Sequence, residues 1–176
     1  MKGPSTQRLF FALWPDDARR QALLDAIRSL RLDPTGRAVP DGNLHVTLAF
    51  LGNVPADKLP TLRTLGAAMV WPRGDLVFDR LAWWPKARLL CLEASLLPPS
   101  FAAAVAAFHE ELRRAGFKVE QRPFRAHVTV ARNAAAPAHD SPGRPIPPFN
   151  WPLQGVALVA STPTPEGSVY QVVERY

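Results

Sequence analysis

Two short stretches of this sequence place a histidine and a threonine two positions apart. His45 and Thr47 lie in "HVTLAF", and His127 and Thr129 lie in "HVTVAR". An imidazole titrates near neutrality, so one histidine of a pair can accept a proton while the other donates one. Threonine hydroxyls can hold the non-bridging oxygens of a phosphate. The repeated pattern therefore predicts a site for displacement at phosphorus that needs no covalent intermediate.

Both stretches have the composition of a β-strand with one buried face. Because successive strand side chains point to opposite faces, each motif is predicted to present its polar pair and a small alanine on one face, which leaves room for a ligand. The residues predicted to share this cleft face are His45, Thr47, Ala49, His127, Thr129 and Ala131. The residues predicted to face the core are Val46, Leu48, Phe50, Val128 and Val130.

Other kinds of site fit these motifs less well. A zinc site needs at least three protein ligands, and neither motif has a neighbouring cysteine, aspartate or glutamate, so we expect no metal and no cofactor. A serine hydrolase of the α/β type needs a G-x-S-x-G turn, which the sequence lacks. A single histidine on a strand is more often a hydrogen-bonded core residue; the repetition is what favours a shared site.

Strands outnumber helices in the predicted element order, which indicates an α+β fold with mostly antiparallel pairing. The predicted strands are 8–14, 43–52, the pair 75–85 and 87–94, then 122–132, and the pair 153–161 and 167–176. The predicted helices are 15–32, 56–70 and 98–116, the last with proline at its start and Gly116 at its end. Residues 134–152 contain six prolines and are predicted to form a long loop.

Composition places the chain among globular proteins. With 176 residues, 47% hydrophobic and 20% charged, residues 1–176 are expected to form a single domain. The net charge of +6, carried by 17 arginines and 4 lysines, fits an anionic partner such as a nucleic acid, although a genomic preference for arginine explains it equally well. The longest apolar run has eight residues, so no membrane partner is expected and the protein is predicted to be cytoplasmic. A monomer is expected.

Some residues outside the motifs also receive a prediction. Cys91 is the only cysteine, which excludes an intramolecular disulfide, and it is expected to be buried. His109, on the third helix, is expected at the surface. Of Phe10 and Phe11, which point to opposite faces of the first strand, one is expected to line the cleft, where it could stack on a base, and the other to fill the core.

The motif pair resembles the signature of the two-histidine (2H) phosphoesterase superfamily. "RLFFALWP", "NLHVTLAFLGNV", "QRPFRAHVTVAR" and "PPFNW" are similar to its RNA 2′,3′-cyclic phosphodiesterase branch, also called 2′-5′ RNA ligase or ThpR/LigT-like, over essentially the whole chain. The resemblance implies two lobes related by a pseudo-two-fold axis, each with a largely antiparallel sheet, with helices outside and a central cleft between the two motif strands.

The resemblance also implies an activity and roles for individual residues. The reaction is metal-independent hydrolysis of RNA 2′,3′-cyclic phosphate ends, including those of tRNA fragments, to 2′-phosphomonoesters. His45 would be the proton donor and His127 the proton acceptor, while Thr47, Thr129 and Arg132 would bind phosphate. Arg132 lies five residues after His127, so strict alternation points it away from the cleft unless the strand ends, twists or bulges there.

Two alternatives to hydrolysis stay open at this point. The same histidines could catalyse the reverse reaction, 2′-5′ ligation of tRNA halves, with a 5′-hydroxyl in place of water. The fold could instead serve as a non-catalytic module that binds RNA ends.

Overall fold

The computed structural model describes residues 5–32, 36–136, 143–165 and 167–176. The strands are β1 (Thr6–Leu13), β2 (Arg37–Ala38), β3 (Val46–Pro55), β4 (Asp75–Trp84), β5 (Leu89–Glu93), β6 (His127–Arg132), β7 (Arg144–Pro152), β8 (Val156–Thr164) and β9 (Gly167–Arg175). The helices are α1 (Asp17–Ser29), α2 (Leu59–Ala68) and α3 (Pro99–Arg114). This content confirms the predicted α+β class.

Local sequence signals account for where the helices begin and end. The Asp16 side chain caps α1 by accepting a hydrogen bond from the backbone nitrogen of Arg19 at 2.8 Å. A proline opens α3, and Gly116, with φ of 86°, follows its last turn in the left-handed conformation that glycine adopts without strain. These signals are the reason that the predicted helix positions agree with the structure to within a few residues.

All strand pairs of the described residues are antiparallel, and they join into one sheet in the order β7-β4-β5-β6-β3-β1-β8-β9, with β2 also paired to β6. The two halves that the sequence predicted as separate sheets meet at a single residue pair, Val46 with Val128. Each motif strand is therefore the innermost strand of its own four-stranded half. The two halves have the same arrangement about this central pair, as expected for a pseudo-two-fold axis.

The two faces of the sheet have different environments. Leu23 of α1, Leu62 of α2 and Phe108 of α3 pack in one core cluster with buried strand residues. Phe11 belongs to this face, with its ring 4.8 Å from that of Phe108. Phe10, its neighbour in β1, belongs to a second cluster on the opposite face. The helices thus cover one face of the sheet, and the other face is available for a cleft.

Each motif strand has a β-bulge three residues after its histidine. In β3, Thr47 pairs with Ala12 and Ala49 with Phe11, which makes Leu48 the extra residue. An extra residue reverses the alternation that follows it. Ala49 is therefore buried, at 3% exposure, while Phe50 is 44% exposed. The prediction that Ala49 faces the cleft and Phe50 the core was wrong for this reason.

The bulge in β6 has the same position and the same effect. Thr129 pairs with Cys91 and Ala131 with Leu90, so Val130 is the extra residue. Ala131 is fully buried, contrary to the prediction that it shares the cleft face. Arg132, five residues after His127, is brought back to the face that carries the histidine.

The prediction of an unbroken loop over 134–152 was also wrong. Residues 137–142 lie outside the described residues, but Arg144–Pro152 forms β7, which pairs with β4. β7 is the last strand at its end of the sheet. One side of an edge strand has no neighbour to accept backbone N–H groups, so the four prolines of this strand are tolerated there. Within the described ranges, no helix is long and apolar enough to cross a membrane.

Candidate active site

A cleft lies over the junction between the two halves of the sheet. Its cavity has a volume of about 660 Å³ and is lined by residues of both motifs. The residues predicted for the site that line this cavity are His45, Thr47, His127, Thr129 and Arg132. The antiparallel pair of Val46 and Val128 explains how they come together, because the same register sets His45 beside Thr129 and Thr47 beside His127.

His45 is oriented by hydrogen bonds at both ring nitrogens. Its Nδ1 lies 2.6 Å from the carbonyl oxygen of Asn43, which can only accept, so Nδ1 carries the hydrogen. Its Nε2 lies 2.9 Å from the Thr47 hydroxyl, which donates to it when the ring is neutral. The backbone thus selects the tautomer that leaves the lone pair on Nε2.

Three aromatic rings surround His45. Their ring centroids lie 5.0 Å away for Phe10, 5.5 Å for Trp14 and 5.4 Å for Tyr170. Burial lowers the pKa of His45 to about 4, and the charges of Arg132 and His127 act in the same direction. Phe10 is only 3% exposed, so the cleft-facing member of the Phe10–Phe11 pair supports the imidazole and leaves little ring surface for a ligand.

His127 is held in a similar way, with different neighbours. Its Nδ1 donates to the carbonyl oxygen of Arg125 at 2.8 Å, which repeats the bond from His45 to the residue two positions earlier. Its ring lies 4.3 Å from that of Trp84. Burial lowers the pKa of His127, although its bond to the Arg125 carbonyl and the carboxylate of Glu93 favour the charged form.

Thr129 lies against the only cysteine. The Sγ atom of Cys91 lies 3.9 Å from the Thr129 hydroxyl. The cysteine is fully buried, as predicted, and burial raises its pKa to about 12. At neutral pH this thiol is protonated and unreactive. It is therefore a packing neighbour of Thr129 with no reactive role of its own.

Both halves of the sequence match one known family. The family model described as LigT like Phosphoesterase matches residues 13–89 and 96–170, and each matched segment contains one His-x-Thr motif. The chain belongs to the LigT-like phosphoesterase family. This membership confirms the family that the motifs predicted.

Two relatives and one solved structure show how far this similarity extends. The chain is 33% identical to the RNA 2′,3′-cyclic phosphodiesterase of Thermus thermophilus over 188 aligned positions, which cover 96% of this chain and 89% of the relative. The Escherichia coli protein of the same name is also 33% identical, over 82% of this chain and 80% of the relative. The crystal structure of E. coli LigT complexed with 3′-AMP superposes with a TM-score of 0.83, 29% identity and 98% coverage of both chains.

Positive charge dominates the cleft of this LigT-like phosphoesterase. Arg8, Arg37 and Arg132 line the cavity, against one acidic lining residue among those described, Glu120. The Arg8 guanidinium lies over the Phe50 ring, 5.0 Å from its centroid. An anionic ligand is favoured by this balance. Sequence reasoning missed both residues. Phe50 reaches the cleft because of the bulge in β3, whereas Arg8 shares the face of Phe10 by regular alternation in β1, a signal that could have found it.

His109 of this LigT-like phosphoesterase is buried, at 9% exposure, so the prediction of a surface position was wrong. Its Nε2 donates a hydrogen bond to the Leu48 carbonyl at 2.7 Å. It does not line the cleft cavity. Among the described residues, no three histidine, cysteine or carboxylate side chains are grouped so that they could hold a metal ion.

Proposed function

We propose that the protein hydrolyses RNA ends bearing a 2′,3′-cyclic phosphate to 2′-phosphomonoesters, by paired acid–base catalysis without a metal. The observation that carries the proposal is that two His–Thr pairs, one from each half of the sheet, line a single arginine-rich cavity. The relatives named RNA 2′,3′-cyclic phosphodiesterase support the reaction and the RNA substrate.

The proposed reaction assigns one proton transfer to each histidine. Nε2 of His127 takes a proton from water as the water oxygen attacks phosphorus. The bond from phosphorus to the ribose 3′ oxygen breaks, and His45 donates its proton to that oxygen. Thr47, Thr129 and Arg132 hold the non-bridging oxygens, where negative charge builds up in the transition state. The product is a 2′-phosphomonoester with a 3′-hydroxyl.

The donor role of His45 requires that the substrate itself changes the protonation of the site. With a pKa of about 4, His45 is neutral in the empty cleft at pH 7. A cyclic phosphodiester carries one negative charge, and an anion beside an imidazole stabilises its protonated form. We therefore infer that His45 becomes protonated only when the substrate is bound.

We expect hydrolysis to continue in EDTA. We also expect kcat/KM to be highest below pH 6.5. The substrate-bound site must hold one neutral and one protonated histidine, and the pH profile of kcat/KM reports the pKa values of these groups in the free enzyme. Burial lowers the pKa of both rings from 6.5. Both limbs of the profile should therefore lie on the acid side of that value. The assay follows an oligoribonucleotide with a 2′,3′-cyclic end from pH 4 to pH 9 and identifies the phosphate position in the product.

Loss of activity in EDTA that zinc or magnesium restores would contradict the proposed mechanism. Binding of the RNA end without turnover at any pH would favour the non-catalytic module. A matched RNA with a 5′-hydroxyl, added to the same reaction, measures 2′-5′ ligation separately. Water is present at roughly 55 M, so ligation requires that the two RNA ends be held together.

Phe50 is the exposed aromatic ring of the cleft, and we assign it to the substrate base. Base-on-aromatic stacking contributes about 1–3 kcal/mol per base, so Phe50→Ala should raise the KM of a nucleoside 2′,3′-cyclic phosphate by roughly 5- to 150-fold with little change in kcat. Glycerol 1,2-cyclic phosphate, which has no base, is the control and should be unaffected. An equal loss on both substrates would show that Phe50 acts on the phosphate site.

A further inference from the structure

The Leu48 bulge depends on a side chain from another element. Leu48 is 2% exposed, so its carbonyl oxygen lies where water cannot replace a lost hydrogen bond. His109, on α3 and 61 residues further along the chain, donates to that oxygen from Nε2 at 2.7 Å. A buried carbonyl that loses its donor is costly, and the strand would relax toward an arrangement that satisfies it.

The equivalent bulge in the other half is held without a side chain. The Val130 carbonyl accepts a hydrogen bond from the backbone nitrogen of Val39 at 2.9 Å. Any residue except proline supplies that donor. The two bulges have the same position in the motif, but only the one in β3 depends on the identity of a particular amino acid.

The bulge determines which side chain reaches the cleft. Without the extra residue, regular alternation would turn Ala49 to the cleft and Phe50 to the core. The catalytic part of the motif has its own supports, because the Asn43 carbonyl orients His45 and the Val46–Val128 pair fixes the register. Loosening the bulge should therefore displace Phe50 and leave the acid–base pair in place.

We propose that His109 is a positioning residue for nucleotide recognition: its bond to the Leu48 carbonyl holds the bulge that presents Phe50 to the base of the substrate. This inference rests on the proposed function, since it assumes a nucleotide in the cleft. It predicts that His109 controls the affinity for the nucleoside portion of the substrate, while the chemical step depends on His45 and His127.

The test compares two amide variants of His109. The longer side chain of His109→Gln places its N–H₂ near the position of Nε2, whereas the amide of His109→Asn ends near Nδ1, short of the Leu48 oxygen. His109→Asn should raise the KM of a nucleoside 2′,3′-cyclic phosphate about tenfold, with kcat and the turnover of glycerol 1,2-cyclic phosphate unchanged. His109→Gln should restore most of the loss. Phe50→Ala combined with His109→Asn should show no loss beyond that of Phe50→Ala alone.

A matched packing variant separates positioning from stability. Phe101, also on α3, is fully buried and packs against Trp71 and Phe124. Phe101→Leu should lower the unfolding midpoint without changing KM. The proposal is overturned if Phe101→Leu raises KM as much as His109→Asn does, if His109→Asn lowers kcat on both substrates, or if its effect adds to that of Phe50→Ala.

Equilibrium binding keeps this test separate from that of the proposed reaction. The dissociation constant of adenosine 2′-monophosphate should rise in His109→Asn, while that of inorganic phosphate stays the same. If the wild-type protein turns over no cyclic phosphate, the proposed function fails, but this binding pattern still supports the role of His109. Equal weakening of both ligands overturns that role, as does the absence of nucleotide binding by the wild-type protein.

Discussion

Replacing either motif histidine by asparagine is expected to lower kcat/KM for a 2′,3′-cyclic phosphate by about 10²- to 10⁴-fold, the usual size of a general acid or base contribution. Asparagine places an amide N–H near Nδ1, so it can keep the bond to the Asn43 carbonyl at position 45 and to the Arg125 carbonyl at position 127. What each variant loses is Nε2. Urea unfolding of both variants shows whether the fold is retained.

A sulfur-substituted substrate tells the two histidines apart. When the ribose 3′ oxygen is replaced by sulfur, the leaving group departs as a thiolate, whose conjugate acid has a pKa near 8.5 as in cysteine and needs no proton donor. His45→Asn should recover most of its activity on this substrate, whereas His127→Asn should not. Recovery by His127→Asn alone would reverse the assigned roles, and recovery by neither would contradict a donor acting on the 3′ oxygen.

Acidification is expected to destabilise the protein through His45 even before carboxylates titrate. Burial among the aromatic rings of Phe10, Trp14 and Tyr170 holds the pKa of His45 at about 4 in the folded state, against 6.5 in the unfolded chain. The unfolded state therefore binds this proton more tightly between those two values. The contribution of His45 to the free energy of unfolding is fully present above pH 6.5 and is lost as the pH falls through 4. The total loss is about 3 kcal/mol.

The variant His45→Asn has no such proton to bind. The test measures the unfolding free energy of wild type and variant in urea at several pH values from 7.5 to 4. As the pH falls, the stability of the variant relative to wild type should rise by up to about 3 kcal/mol. Equal m-values confirm that the same transition is compared. If the two stabilities stay parallel across this range, the environment of His45 does not suppress its protonation.

The element order could be predicted because each signal is local. Apolar spacing and the cap at Asp16 define α1, and the proline start and Gly116 define α3. The strand Arg144–Pro152 could not, because its prolines are compatible with pairing only at a sheet edge, and edge position is a property of the whole topology. A two-residue strand such as Arg37–Ala38 has too little pattern to recognise.

Strand alternation predicted the correct face for the motif side chains before the bulges and the wrong face for those after them. His45, Thr47, His127 and Thr129 lie where strand alternation puts them. The positions of Ala49 and Phe50 follow from a bulge whose donor, His109, is 61 residues away in sequence. A bulge also explains the position of Arg132. Regular alternation points this side chain away from the cleft, and the bulge at Val130 turns it back to the cleft face. The face that a side chain occupies after a bulge thus depends on long-range hydrogen bonds, which the local sequence pattern does not contain.

The single pair Val46–Val128 at the centre of the sheet has a consequence for how such a protein can be built. A chain with only one half would have one imidazole and one hydroxyl, and a second copy across an isologous interface would be needed to complete the constellation. In such a homodimer both imidazoles would have identical surroundings. In one polypeptide the two imidazoles can have different surroundings, here the aromatic rings around His45 and the carboxylate near His127. In the proposed mechanism, that difference is what assigns the acid role to one residue and the base role to the other.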